Sequence, residues 1–260
     1  RETLSIGAPT VLVMLCSFSV VSVQTAASYS FSESGPSILA YARLWFTLPY
    51  AFLAVPITTT MFTELAEMQA EGNTQGVKRG IVSGTNQILF FMIPFALYLM
   101  VFALPLVTLY HAGAFTMESV GAIASYLAVL AVALPFYGVN TYLQKVYSSV
   151  RKMGVFAGFN FVAGGVQIGL TMLAASDVGD LPFEAIAAAE AAFYVVADVC
   201  LFAYLRRHLG AFGLRSTLRA LACSLALGGL GAAAGAGVLF ALQTWAAPLS
   251  GSIPQALAYV

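Results

Sequence analysis

Arg43 stands inside an apolar run from 37 to 65, SILAYARLWFTLPYAFLAVPITTTMFTEL. A guanidinium near a bilayer centre costs about 2.5–3.5 kcal/mol on insertion scales, so it faces a wet cavity, a partner or a headgroup. Glu190 and Asp198 are buried in apolar sequence in the same way, eight residues apart and therefore roughly 80° apart around a helix. That spacing lets both face one groove, where Asn160 and Gln167 from the preceding helix could complete a cation or proton site. The other reading puts Glu190 near the outer interface, bonds Asp198 to a neighbouring helix and uses the amides as packing glue.

Enzyme chemistry is not legible. There is no HExxH, CxxC, GxSxG or phosphate-cradling loop, and His111 and His208 fall in loops on opposite sides of the membrane. Cys16, Cys200 and Cys223 are scattered and odd in number, which indicates neither a disulfide framework nor a metal site. We therefore expect no catalytic residue, no metal and no cofactor other than a coupling cation, sodium or proton, or the membrane potential. No basic-aromatic surface of the nucleic-acid kind remains once the basic residues are assigned to membrane topology.

The elements that must carry these residues are transmembrane helices. With 60% hydrophobic and 8% charged residues and a mean hydropathy of +0.88, the chain is far from the roughly 25% charged content of a soluble domain. About 25 residues of helix span roughly 37 Å, more than a hydrocarbon core of about 30 Å requires. The run around Arg43 is thus expected to be tilted or kinked, with Pro49 and Pro56 each removing a backbone donor.

In order, the expected spans are 4–31, 37–65, 81–110, 120–142, 154–175, 183–204 and 218–242, with Pro94 and Pro105 in the third and Pro135 in the fourth. The pairs Gly154 and Gly158, Gly165 and Gly169, and Gly231 and Gly235 have the spacing of close helix packing within one chain. Opening at Arg1 and closing in an apolar stretch at Val260, the sequence reads as a piece of a longer chain. Seven spans alternate sides. With Arg1 inside, the inside loops hold Lys78, Arg79, Lys145, Arg151, Lys152, Arg206, Arg207, Arg215 and Arg219, and the outside loops hold no Lys or Arg. Arg43 is the one basic residue that topology does not explain.

Three stretches, YARLWFTLPYAFLAVPITTTMFTELAEMQAEGN, IPFALYLMVFALPLVTLYHAGAFT and LAVLAVALPFYGVNTYLQKVYSSVRKM, together resemble the MurJ/MviN lipid II flippases of the MOP superfamily. The likeness runs from about Ile38 to Gly210. Its parts come in the family's order: the kinked helix, the Ala-Glu-Gly-Asn turn at 70–73, the Gly-x-Phe-Thr turn at 113–116 and the Leu-Pro-Phe break at 134–136.

The resemblance implies an all-α, polytopic membrane bundle of two six-helix lobes facing a central cavity, followed by two further helices. Residues 1–212 would be the second lobe, and 213–260 the first extra helix with the start of the next segment. The implied activity is flipping of the undecaprenyl-diphosphate-linked peptidoglycan precursor across the bacterial cytoplasmic membrane by alternating access. Implied partners are membrane lipid, the lipid-linked precursor and the missing N-terminal lobe of the same chain, in a monomer. Other MOP transporters, such as a polyprenyl-linked oligosaccharide flippase or a cation-coupled multidrug exporter, and a non-transporting scaffold are the alternatives.

A diphosphate needs fixed cations in a wet cavity, and the planar fork of Arg suits phosphate oxygens. Arg43 and Thr47 are accordingly the expected substrate-binding residues, and Pro49, Pro56, Pro94 and Pro135 the expected helix breaks or hinges. Many family members read Tyr-Ala-Asp-Arg-Leu-x-Glu-Leu-Pro here. Aligned on Leu48-Pro49, Arg43 takes the place of the family's Asp, Leu44 that of its Arg, and Thr47 that of its Glu. Lying about two turns from the outer end, Arg43 has a second reading, snorkelling or structural pairing.

Overall fold

The computed structural model describes residues 2–109, 116–176 and 181–245. Long apolar runs interrupted by Gly, Pro and Asn fold as the helices α1 (Glu2–Ser28), α2 (Gly35–Pro49), α3 (Val55–Ala70), α4 (Thr74–Thr108), α5 (Met117–Leu130), α6 (Leu134–Ser149), α7 (Met153–Ala174), α8 (Ala185–Leu209) and α9 (Leu214–Trp245). A π-helical turn, Tyr50–Ala54, joins α2 to α3, and a 3-10 turn, Ala131–Ala133, joins α5 to α6. Each joined pair crosses as one unit. Among the described residues, seven helical units are long and apolar enough to span a membrane, the number and order expected from the sequence.

Most of the polar stretch 64–79 is helical, as the spacing of Glu64, Glu67 and Glu71 on one helix face suggests. α3 continues to Ala70 and α4 starts at Thr74, so only three residues turn the chain. Gly72 adopts φ +71, and the Asn73 side chain caps α4 by accepting from the Gly76 N–H at 2.8 Å. Thr116 caps α5 in the same way through the Ser119 N–H at 3.2 Å. Residues 110–115 and 177–180, with His111 and most of the acidic turn, lie outside the described residues.

The prolines act at the breaks. Pro56 sits in the first turn of α3 and Pro135 in the first turn of α6, positions where a missing N–H is tolerated, whereas Pro49 is the last residue inside α2 and removes a helical donor just before the π-helical turn. Pro94 and Pro105 are inside a continuous α4 and do not end it.

Buried tyrosines set the centre of the bundle. The Tyr142 hydroxyl donates to the Gly80 carbonyl at 2.9 Å, tying α6 to α4, and Tyr147 donates to the Leu201 carbonyl at 2.7 Å, tying α6 to α8. Gly84 makes room for the Tyr142 ring, against which an added methyl would collide. The expected glycine pairs behave otherwise. At Gly154, Gly158, Gly165, Gly169 and Gly231 a methyl would meet nothing within 4 Å, because those faces of α7 and α9 look out of the bundle, as Phe161 does at 67% exposed. Close approach uses Gly164 against Cys16, Gly138 against Ile88, and Gly228 and Gly235 where α9 lies on α4.

Candidate functional site

α2 brings Arg43 to α8 two turns from the start of its own helix. There Nη2 lies 2.7 Å from Glu190 Oε2 and Nη1 3.1 Å from Oε1, a bidentate ion pair. Gln24 on α1 donates from Nε2 to the same Oε2 at 3.2 Å. The Glu190 side chain is almost fully enclosed, at 4% exposure, whereas the whole Arg43 side chain keeps 36%. Three helices therefore meet on one acid, and the arginine is the partner that still reaches outward.

The pair borders a small cavity of about 70 Å³, lined also by Asn160 and Gln167 of α7 and by Tyr194 of α8. Asn160 donates from Nδ2 to the Phe156 carbonyl at 2.9 Å, and its own carbonyl accepts from the Cys16 thiol at 3.8 Å. One turn below Arg43, the Thr47 hydroxyl donates to the Arg43 carbonyl at 2.9 Å. Thr47 thus shares the arginine's face but spends its proton on the helix backbone.

The helix break is in contact with this site through aromatic rings. Tyr50, the first residue of the π-helical turn, packs on Tyr137 of α6 at 4.6 Å between centroids, and Tyr137 packs on Tyr194 at 5.4 Å. Tyr194 is one turn from Glu190. Single π turns inside α-helices concentrate at functional positions, since the wide turn leaves backbone groups free to rearrange.

Asp198 does not join the group. Two turns along α8 from Glu190, the 80° offset and about 12 Å of rise send it to a different face. There Asn140 of α6 donates from Nδ2 to Oδ1 at 2.9 Å while Oδ2 is buried without a hydrogen-bond partner. It lines a separate cavity of about 510 Å³. The expected four-residue site of Glu190, Asp198, Asn160 and Gln167 is thus divided: three share the small cavity with Arg43, and the fourth faces Asn140 rather than Asn160.

Gln24 and Asn140 were not singled out from the sequence. Both are isolated polar residues in apolar spans, the same signal that drew attention to Asn160 and Gln167. Among the described residues no three His, Cys, Asp or Glu side chains gather to hold a metal ion.

A family model described as Lipid II flippase MurJ matches residues 1–251. The probable lipid II flippase MurJ of Borreliella burgdorferi is 26% identical over 145 residues, covering 54% of this chain and 29% of that protein. The lipid II flippase MurJ of Thermosipho africanus is 25% identical over 114 residues, covering 44% of this chain and 23% of that protein. A solved structure titled lipid II flippase MurJ, inward closed conformation, superposes with a TM-score of 0.73 at 19% identity, covering 91% of this chain and 47% of that one. The chain spans less than half the length of each of these proteins.

Proposed function

Because the chain belongs to the lipid II flippase MurJ family, we propose that it supplies the second lobe and first extra helix of a transporter that flips an undecaprenyl-diphosphate-linked peptidoglycan precursor. The division at about residue 212 and the location in a bacterial cytoplasmic membrane are parts of the same proposal. No bond is made or broken. The work is alternating access of a cavity shared with an N-terminal lobe.

The observation that carries this reading is the asymmetric exposure of the Arg43–Glu190 pair. Glu190 holds the guanidinium in place, and the 36% exposure of the arginine side chain supports its being within reach of an incoming anion, which its five-donor fork is suited to bind. A diphosphate that draws the fork away from Glu190 leaves a buried carboxylate without its cation, which is strongly unfavourable unless a proton or sodium ion replaces it. Arg43 and a coupling cation would then occupy Glu190 in turn, with Gln24, Asn160 and Gln167 as the neutral ligands at hand. In this proposal Asp198 is a second acid available for coupling, Thr47 orders the helix beneath Arg43, and the π-helical turn with Pro49 and Pro56 lets α2 swing. Pro135 and Pro94 are the proposed secondary hinges.

The test is rescue of cells depleted of their lipid II flippase by the whole protein that contains this lobe. Growth and normal shape are expected, with clear impairment by Arg43→Lys, which keeps the charge but loses the fork. Failure of the unaltered protein to rescue, despite normal levels in the membrane, would assign the chain to another cargo or to a scaffold.

A further inference from the structure

The large cavity that Asp198 lines is a cleft between α4, α8 and α9 with Phe136 and Val139 of α6 at its back, and apart from Thr85 and Asp198 its walls pass from a cationic mouth to an apolar depth. On α4, Lys78, Val82, Thr85 and Leu89 follow at spacings of four, three and four, so they share one face over about 16 Å. Val82, Thr85 and Leu89 line the cleft of about 510 Å³. α8 runs the other way and repeats the gradient, with Arg206 at the mouth and Phe202, Val199 and Val195 deeper in. Sixteen ångströms is about half of a hydrocarbon core, the depth of one leaflet.

A second, polar cavity of about 510 Å³ adjoins it and shares Val82, Phe212 and Gly213 as a common wall. Lys78, Arg79, Ser83 and Ser216 line this vestibule, and Lys78 Nζ lies beside Gly210 where the chain turns from α8 to α9. Gly213, at φ +57, brings that turn so close to α4 that a methyl there would strike Val82. Among the described residues no carboxylate lies within 4.0 Å of Lys78 or Arg206. Val199 is 63% exposed, so among the described residues the cleft is open sideways at α8.

We propose that this cleft and vestibule together bind an anionic phospholipid of the cytoplasmic leaflet, with its phosphate among Lys78, Arg79 and Arg206 and one acyl chain between α4, α8 and α9. The positive-inside rule accounts for cations at this end of the bundle, but not for an apolar cleft one leaflet deep beneath them. Charge fixes the orientation: the mouth is cationic, and the one charged-type group at depth is the acid Asp198, so an anionic headgroup stays at the mouth. Basic pockets between helices on the cytoplasmic side are where acidic lipids are held.

The experiment uses the whole protein in nanodiscs with a phosphatidylglycerol that carries a photoreactive diazirine in its acyl chain, followed by peptide mapping. Crosslinks are expected on the cleft-lining parts of α4, α8 and α9, and few on the lipid-facing side of α7 around Phe161. Unlabelled phosphatidylglycerol should compete and phosphatidylcholine should not. Each of Lys78→Ala, Arg79→Ala and Arg206→Ala should weaken labelling roughly fivefold. Ala203→Trp, which fills the cleft and leaves every cation in place, should abolish cleft labelling while the protein remains inserted. Equal competition by phosphatidylcholine, competition by inorganic phosphate alone, displacement only by a polyprenyl lipid, or unchanged labelling in Ala203→Trp would each overturn the assignment.

Discussion

Removing the guanidinium at position 43 separates a structural pair from a bare substrate cation. In Arg43→Ala the Glu190 carboxylate keeps its enclosure, at 4% exposure, and retains only the neutral Gln24 amide at 3.2 Å. Breaking a buried ion pair from one side costs about 3–5 kcal/mol, and the 36% exposure of the arginine puts this case at the lower end, about 3 kcal/mol. For a protein of this size or larger that corresponds to a fall in Tm on the order of 5 °C. In Arg43→Ala/Glu190→Gln the stranded charge is gone, and most of the loss should return, a coupling of at least ~2 kcal/mol. Thermal unfolding of the purified whole protein and its two single and one double variants measures this cycle. Rescue assays run beside it should show the double variant restored in stability but not in transport. An Arg43→Ala protein as stable as the unaltered one, with additive effects in the double variant, would refute the pairing argument.

Two other perturbations follow from the fold. The glycines divide by surroundings: Gly84→Ala should destabilise by about 1–3 kcal/mol because the Tyr142 ring fills the space, whereas Gly169→Ala, with nothing within 4 Å, should stabilise by about 0.5–1 kcal/mol, both read by thermal unfolding. Deleting Phe52, which is 75% exposed within the π-helical turn, should convert Tyr50–Ala54 to regular α-helix and remove the wide turn's freedom while leaving Arg43 in nearly the same phase relative to α3, because a π turn absorbs one extra residue. Loss of rescue with normal membrane levels is expected; full rescue would remove the wide turn from the mechanism.

The spans were legible because apolar length and the bias of Lys and Arg are summed over many residues, and no single contact decides them. Their ends were less so. Residues 64–79 are polar and mark where spans end, yet a helix that emerges into water keeps its hydrogen bonds while changing its side chains; α3 and α4 do this, and the spacing of Glu64, Glu67 and Glu71 on one face is the trace it leaves in the sequence. Arg43 and Glu190 were both conspicuous as charges in apolar sequence. That they would meet was hidden, since they lie on different spans and depend on how α2 and α8 rotate about their axes. The same holds for Asp198, whose partner is Asn140 on α6 rather than Asn160 on α7. Glycine spacing misled for a related reason: the pattern says a helix has a smooth face, and only packing says which way that face looks.

The tyrosine ties and the arginine clasp lie at opposite ends of the lobe and answer to different agents. Tyr142 and Tyr147 bind α6 to its neighbours toward its Ser149 end through uncharged hydroxyls, which are indifferent to a passing anion or a change in salt. At the other end the junction of α1, α2 and α8 rests on one charged bond that an anion can contest. Under the proposed function, a negatively charged visitor would loosen the lobe at one end and leave the other fastened, so that its binding would favour rotation about a fixed heel.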